Sequence, residues 1–226
     1  MSRFKDALTK PGTNIIAEIK YSSPSHGPFA CQRPAADVTR IYRDHGAAAI
    51  SVLTDEERFN GKLEYLRKAS EIEDCPPLLR KDFIRTHEQV KEAADNRASA
   101  FLLIVRDLSP GLLNDLLHYG EDRNLDALVE IHDPFELETA MAQGVRLIGV
   151  NNRDLRTLEV KVNTSFEIAK LMEKETGYTM VAESGIKERS IILELQDAGY
   201  SGFLIGSVFM DSKDPGKKLL ELRGES

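Results

Sequence analysis

Between positions 15 and 24 the chain reads Ile15-Ile16-Ala17-Glu18-Ile19-Lys20-Tyr21-Ser22-Ser23-Pro24. The run up to residue 19 is nearly continuous in apolar character, which is typical of a parallel strand packed on both faces. An open, doubly wound sheet normally follows its first strand with a glycine-rich turn, whereas serine and proline stand here. The stretch is therefore more typical of a closed parallel barrel, with the open sheet as the competing architecture.

The same unit, a short apolar run followed by a longer amphipathic stretch, recurs along the whole chain. The runs occupy residues 15–19, 48–53, 77–83, 100–105, 127–131, 147–150, 180–182 and 202–205. Helix starts are predicted at Thr86, Ser109-Pro110 and Asp133-Pro134, and helix ends before Gly46, Gly144 and Gly199. Eight such units predict an α/β fold, a (β/α)8 TIM barrel formed by residues 1–226 as a single domain.

Composition and charge exclude several classes of protein. Hydrophobic residues make up 41% of the chain, which suffices for a packed core and excludes disorder over most of its length. The 30 Lys and Arg against 37 Asp and Glu give a net charge of −7, which argues against broad binding to nucleic acid. No apolar run approaches the roughly 20 residues that span a bilayer, and the N-terminus lacks a secretory signal. We expect a cytoplasmic protein without nucleic-acid or membrane partners.

In a barrel of this type, functional residues lie where the strands end. Glu18 and Lys20 are two residues apart on the first strand, so both side chains should face the barrel interior. They are candidates for catalysis, and an ion pair that merely fills the barrel is the alternative.

The third and fifth strands end in two further candidates. Lys81 alternates with Arg80 and Asp82 and should point to the opposite face, as a catalytic or a solvated lysine. Glu130 lies in an apolar setting that we expect to raise its pKa and favour proton transfer near neutrality; a buried salt bridge is the alternative. Two lysines and two carboxylates at one barrel mouth can supply acids, bases and anion contacts.

The seventh and eighth strands end in Ser184-Gly185 and Gly206-Ser207. Barrels often bind phosphate at these two loops, because glycine lets the backbone N–H groups approach the anion. Each glycine alone is also compatible with a tight turn. The five histidines show no metal-ligand spacing and are expected at the surface or the core edge, with His132 closest to the mouth. Two cysteines are too few for a disulfide framework or a zinc site, and no metal or cofactor is predicted.

Motifs on all eight predicted strands resemble the indole-3-glycerol phosphate synthase family. In chain order they are IAEIKYSSPS (16–25), SVLTDE (51–56), LRKDFI (79–84), LLIV (102–105), VEI (129–131), GVNNRDL (149–155), AESGI (182–186) and FLIGS (203–207). Together they are far more specific than a generic barrel pattern. The resemblance implies a (β/α)8 barrel of tryptophan biosynthesis. The family converts 1-(2-carboxyphenylamino)-1-deoxyribulose 5-phosphate to indole-3-glycerol phosphate with release of carbon dioxide and water.

The resemblance also implies roles for individual residues. Lys81 would be the general acid that protonates the substrate carbonyl, and Glu130 the acid/base for proton removal and dehydration. Lys20, with Glu18, would orient the carboxylate-bearing ring. Asn151 would join this catalytic set and hold the substrate. The remaining substrate-binding residues would be Arg153, Ser184, Phe83 and Leu102, and the phosphate-binding residues Ser23, Gly185, Gly206 and Ser207.

The chain departs from the family pattern at Tyr21-Ser22, at His26 and at Arg106-Asp107. Only about 14 residues precede the first strand, so we expect a shortened N-terminal extension. Within residues 1–12, Phe4, Ala7 and Leu8 form a weak apolar stripe, which we expect to dock beside residues 21–29 and partly cover the mouth.

Other functions remain open at this stage. They are a related phosphate-binding barrel isomerase, a Schiff-base aldolase, and a catalytically inactive barrel that serves as a binding module. The expected partner is a small phosphorylated substrate, and other tryptophan-pathway enzymes are further candidates. The expected oligomeric state is a monomer or a weak dimer.

Overall fold

The computed structural model describes residues 4–154 and 156–225. Its strands are β1 (Asn14–Ile19), β2 (Ala49–Leu53), β3 (Leu78–Lys81), β4 (Ala100–Ile104), β5 (Asp126–Ile131), β6 (Leu147–Asn151), β7 (Thr179–Glu183) and β8 (Gly202–Ile205). All eight are parallel, each pairs with the next in chain order, and β8 pairs with β1 to close the barrel. The prediction of a TIM barrel is confirmed.

One helix of eight or more residues follows each strand. These helices are α1 (Ala35–Asp44), α2 (Leu63–Ser70), α3 (His87–Asp95), α4 (Pro110–Glu121), α5 (Pro134–Ala142), α6 (Asn163–Met172), α7 (Arg189–Asp197) and α8 (Pro215–Arg223). The predicted starts are confirmed, because Thr86, Ser109 and Asp133 each accept a hydrogen bond from a first-turn backbone N–H. Within the described residues, none of the helices is long and apolar enough to cross a membrane.

Two strands differ by more than one residue from their apolar runs. The run 77–83 predicts a longer third strand than β3, which ends at Lys81. The Asp82 side chain accepts hydrogen bonds from the Phe83 backbone and from Thr54, and these contacts lie beyond the last β3 pairing. In contrast, β7 extends the predicted run 180–182 by one residue at each end, because polar Thr179 and Glu183 also pair with β6. A run defined by hydrophobicity alone therefore ends one residue before Glu183, which belongs to the strand.

Two apolar cores hold the barrel together. The larger lies between the strands and the helices, and the smaller fills the barrel interior with side chains that include Ile16, Ala49, Leu79, Leu128 and Val181. Burial of this apolar surface is the main stabilising contribution to the fold.

The expected position of the N-terminal segment over the mouth is wrong. A short helix (Phe4–Ala7) lies instead at the amino end of the barrel, where the Phe4 and Leu8 side chains join the interior core. The backbone N–H of Lys5 donates to Asp126, the first residue of β5, at 3.0 Å. The physical reason is that the amino end of the barrel interior is apolar. Burial of Phe4 and Leu8 there is more favourable than packing them against the polar mouth.

Candidate active site

A cavity of about 1470 Å³ opens at the carboxyl ends of the strands. Every residue singled out from the sequence for catalysis, substrate binding or phosphate binding lines it: Glu18, Lys20, Ser23, Lys81, Phe83, Leu102, Glu130, Asn151, Arg153, Ser184, Gly185, Gly206 and Ser207. The barrel thus brings together residues that are up to 189 positions apart, from Glu18 to Ser207. Their individual roles stay predictions.

At the end of β1, the Lys20 ammonium lies 2.8 Å from the Glu18 carboxylate. Both side chains line the cavity, as the alternation along a strand requires. Ser51 of β2 donates to the second Glu18 oxygen at 3.4 Å. A side chain at Gly206 would collide with Glu18, since a Cβ there would lie 2.5 Å from a carboxylate oxygen. Gly206 therefore makes room for the Glu18 carboxylate, in addition to the phosphate role expected for it.

Lys81, at the end of β3, lies between two buried carboxylates. Its Nζ is 3.1 Å from Glu130 and 3.5 Å from Glu183. Burial alone would lower the pKa of the ammonium, but the carboxylates of Glu130, Glu183 and Glu18 outweigh it and raise the pKa well above its usual value. Lys81 is therefore a buried cation rather than a solvated lysine.

The strand alternation that turns Lys81 inward turns Arg80 outward. The buried Arg80 guanidinium contacts Glu92 of α3 at 2.9 Å and Asp82 at 3.1 Å, and it donates to the Thr54 hydroxyl. These contacts anchor the end of β3 from outside the barrel and so fix the direction of Lys81.

The expected raised pKa of Glu130 is wrong. Burial does raise it, but the positive charge of Lys81 and the interaction with His132 outweigh burial and hold the pKa of this carboxyl well below its usual range. The apolar letters around Glu130 in the sequence do not reveal the cations that face it from β3 and from the loop after β5.

The raised pKa belongs to Glu183, which was not among the predicted site residues. Burial, and then the like charges of Glu130 and Glu18, raise its pKa to about 8 despite the opposing effect of Lys81. Its Oε1 atom has no hydrogen-bond partner within the described residues. Gly149 of β6 lies so close to this oxygen that a side chain at position 149 would collide with it. The signal for Glu183 was its position at a strand end, in the motif AESGI.

His132 was expected at the surface or the core edge, near the mouth, and it lines the cavity at the edge of the core. Only 4% of its side chain is exposed, and its Nε2 lies 3.2 Å from Glu130. Its Nδ1 lies 3.1 Å from Glu136, at the start of α5. The histidine therefore connects the active-site carboxylate to the helix behind it.

The substrate-binding candidates lie around this charged centre. Asn151 accepts a hydrogen bond from the Arg153 backbone, and the Arg153 guanidinium donates to Ser25 at 3.2 Å across the mouth. The Phe83 ring lies 4.2 Å from the Arg58 guanidinium carbon and presents an apolar wall with Leu102. These residues can hold an aromatic ring and a negatively charged group side by side.

The phosphate-binding candidates lie on three neighbouring loops. Ser23 belongs to a short hairpin that follows β1 (Ser22–Ser23 with Gly27–Pro28). Gly185 has φ +82°, and a side chain there would collide with Val160. Ser207 opens a short helix (Ser207–Met210) with Gly206 before it. The backbone N–H groups and serine hydroxyls of these loops are suitable donors to an anion.

Comparison with known proteins identifies the family. The family model described as indole-3-glycerol phosphate synthase matches residues 1–222. An indole-3-glycerol phosphate synthase from Aquifex aeolicus is 44% identical over 221 residues, which cover 98% of this chain and 85% of the relative. One from Carboxydothermus hydrogenoformans is 43% identical over 210 residues, which cover 93% and 79%.

Solved structures with much lower identity share the fold. KGPDC from Streptococcus mutans superposes with a TM-score of 0.69 at 12% identity, over 94% of this chain and 96% of that one. A mandelate oxidase variant gives a TM-score of 0.66 at 16% identity, over 93% and 72%. These two structures bear on the fold alone. The family model and the curated relatives lead to one conclusion: the chain belongs to the indole-3-glycerol phosphate synthase family.

Proposed function

We propose that this chain catalyses ring closure, decarboxylation and dehydration of 1-(2-carboxyphenylamino)-1-deoxyribulose 5-phosphate to indole-3-glycerol phosphate. It is thus a carboxy-lyase of tryptophan biosynthesis. The observation that carries the proposal is the buried group at the mouth, in which Lys81 lies between Glu130 and Glu183. Family membership selects this reaction among those that such a group can catalyse.

Ring closure places developing negative charge on the carbonyl oxygen of the substrate. A positioned ammonium stabilises that charge and donates a proton to it, and Lys81 is the cation available at the centre of the cavity. The ring carbon that bears the carboxylate forms the new bond to the carbonyl carbon. The carboxylate then leaves this ring carbon as carbon dioxide, and the electrons of the broken C–C bond return to the ring system. Lys20 and Glu18 are placed to orient the carboxylate-bearing ring.

Dehydration needs one group that accepts a proton and one that supplies it. Glu130, whose pKa is held low, is ionised near neutral pH and can accept the proton. Glu183, with its pKa raised to about 8, holds a proton that it can supply, directly or through Lys81, to the departing hydroxyl, which leaves as water. Ring closure, loss of carbon dioxide and loss of water involve no net redox change, so the reaction needs no redox cofactor.

The alternative functions have no specific observation in their favour. A Schiff-base aldolase needs a lysine that loses its proton near neutral pH, whereas the carboxylates around Lys81 raise its pKa. The intact buried charges argue against an inactive binding module, because they cost stability without serving a site. The phosphate-binding isomerases are the nearest alternative in fold.

The proposed function has consequences for the substrate, the cellular location and the oligomeric state. The substrate is a small phosphorylated molecule, which Ser23, Gly185, Gly206 and Ser207 would hold by its phosphate. We further propose that the chain acts in the cytoplasm as a single domain, as a monomer or weak dimer. Other enzymes of tryptophan synthesis are candidate partners.

The decisive test measures indole fluorescence formed from the carboxyphenylamino-deoxyribulose phosphate by the parent and by Glu130→Gln. We expect product from the parent and a loss of about 10²–10⁴-fold in kcat for the variant. Glu138→Gln, an exposed position on α5, is the matched control and should behave as the parent. Absence of product from the folded parent contradicts the proposal, and covalent trapping of Lys81 by borohydride in the presence of substrate supports the aldolase instead.

A further inference from the structure

A row of alternating charges leads from the active-site carboxylate to the outside of the barrel. His132 Nε2 lies 3.2 Å from Glu130 Oε1, and His132 Nδ1 lies 3.1 Å from Glu136 Oε2. Arg106, in the turn after β4, donates from Nε to the other Glu136 oxygen at 2.8 Å. We call these four residues the His132 relay.

Local structure fixes the outer part of this relay. Asp133 caps α5 by accepting a hydrogen bond from the Glu136 backbone at 2.9 Å, so Glu136 lies in the first turn of the helix. A carboxylate is favoured there by the helix dipole. Glu136 also accepts a hydrogen bond from the His132 backbone N–H at 2.8 Å. It therefore holds both the main chain and the ring of the histidine.

We propose that His132 is a positioning residue for the reaction, which aims the Glu130 carboxylate at the substrate while Glu136 orients the imidazole. This inference rests on the proposed function, because it assigns a role within the same site. The relay contacts Lys81 through Glu130, whose other oxygen accepts a hydrogen bond from the Lys81 ammonium.

The charges that face His132 support this role. Burial lowers the pKa of the imidazole, but the bonds to Glu130 and Glu136 outweigh it and raise the pKa to about 9 despite Arg106 nearby. The ring is therefore a cation near neutral pH. Together with Lys81 on the other side, it keeps Glu130 ionised and ready to accept a proton.

The contact between His132 and Glu130 is short but not well aligned as a hydrogen bond. Contacts of this kind between catalytic groups often tighten only in the complex with substrate. A displacement of about 1 Å in a catalytic group can cost of the order of 10²-fold in rate. A residue that sets the direction of Glu130 should therefore affect kcat more than KM.

Two amide variants separate this role from a merely structural one at the start of α5. The side-chain amide of glutamine reaches the place of His Nε2 and can still donate to Glu130. That of asparagine reaches only the place of Nδ1 and can donate to Glu136. A merely structural role requires the contact with Glu136, whereas a positioning role requires the contact with Glu130.

We expect His132→Asn to lower kcat about 10²-fold with KM changed less than about 3-fold. Its kcat/KM profile should also lose activity at a higher pH on the acidic side, since Glu130 loses a neighbouring cation. We expect His132→Gln to lose less than about 10-fold in kcat. His118→Asn, at an exposed position on α4, is the control. Equal kinetics for the two His132 variants, or a more active Asn variant, overturns the inference. A folded parent without product contradicts the proposed function instead.

A second measurement does not depend on activity. NMR of ¹⁵N-labelled imidazoles gives the pKa of His132 in the parent and in Glu130→Gln. We expect the pKa to fall by at least about one unit when the carboxylate is removed, because the pair no longer favours the charged ring. A His132 pKa that is unchanged in Glu130→Gln overturns the inference, whether or not the parent forms product.

Discussion

Glu130 and Glu183 are chemically identical side chains, and each is about 1% exposed at the end of its strand. Their pKa values nevertheless move in opposite directions. Glu130 has Lys81 on one side and His132 on the other, so the charged form is stabilised. Glu183 shares Lys81 but also faces the negative charges of Glu130 and Glu18, so burial prevails. One proton acceptor and one proton donor thus arise from the same residue type.

The raised pKa of Glu183 predicts how stability depends on pH. The folded state keeps this proton up to about pH 8, whereas the unfolded chain releases it near the ordinary value of 4.5. The contribution of this group to the free energy of unfolding is therefore greatest below pH 4.5 and decreases as the pH rises from 4.5 to about 8. In Glu183→Gln this loss is absent.

We expect urea unfolding to show Glu183→Gln gaining on the parent as the pH rises through that window. The gain should exceed about 1.4 kcal/mol, the equivalent of one pKa unit, and stay constant above pH 8. Glu138→Gln serves as the control. Parallel pH profiles for Glu183→Gln and the parent would falsify this reading of the pKa.

Lys81→Met should abolish most turnover and also destabilise the fold. Removal of the ammonium leaves Glu130 and Glu183 buried without their shared cation, and breaking a buried pair in this way costs roughly 3–5 kcal/mol. Acid should recover part of the lost stability, because both carboxyls can then take up protons. Unfolding at pH 5 and pH 8 measures this recovery. Lys91→Met, on the exposed face of α3, should change neither property.

At the scale of elements, the N-terminal helix and the catalytic loops lie at opposite ends of the barrel. Phe4→Ala removes a fully buried ring from the interior core and should cost about 3–5 kcal/mol of stability. Because the site is at the other end, KM and kcat should stay within about twofold under conditions where the variant is folded. Leu171→Ala, at an exposed position on α6, should cost less than about 0.5 kcal/mol. A large rise in KM with unchanged stability would mean that the segment covers the mouth after all.

The loops after β7 and β8 carry three of the proposed phosphate-binding residues, Gly185, Gly206 and Ser207. Ser207→Glu places a carboxylate where the short helix begins, so it should repel the substrate phosphate and raise KM strongly with little change in stability. Inorganic phosphate should compete with the substrate in the parent and far less in the variant. Equal competition in both would place phosphate elsewhere in the cavity. Ser190→Glu, exposed on α7, controls for the added charge.

At the scale of the whole molecule, the barrel depends on closure between residues that are far apart in sequence. The buried Asn14 side chain donates to the carbonyl groups of Leu8 and Lys10 and to that of Ser201, 187 positions away. One side chain thus joins the N-terminal segment, the first strand and the residue that precedes β8.

Asn14→Ala should therefore destabilise the entire barrel and not only its N-terminus. Loss of a donor shared by buried carbonyl groups costs about 1–3 kcal/mol. We expect one unfolding transition, shifted to lower urea, with far-UV circular dichroism and tyrosine fluorescence coincident. Asn163→Ala, whose side chain bonds only to exposed Glu167 within α6 among the contacts described, is the control. Separate transitions by the two probes would show that closure is not cooperative.

The sequence by itself determined the number and order of strands, the helix starts and several of the charged residues at the mouth. These features depend on local periodicity, capping chemistry and strand-end position, all of which can be read along the chain. Glu18, Lys20, Lys81 and Glu130 could be identified for this reason. The family motifs then added the reaction, because they cover every strand.

Only the tertiary structure decided the electrostatics and the place of the N-terminal segment. The pKa of Glu130 depends on Lys81, and that of Glu183 depends on three charged residues from other strands. The residues adjacent in sequence therefore predicted the wrong direction of shift for Glu130 and did not reveal the raised pKa of Glu183. The orientation of the His132 ring depends on Glu136, which lies close to it in sequence. Its proposed role depends on the direction of the Glu130 carboxylate, which only the folded barrel defines. The apolar stripe of Phe4 and Leu8 predicts a buried face without saying which end of the barrel buries it. Burial and charge are properties of three-dimensional neighbours, and closure of the barrel creates them.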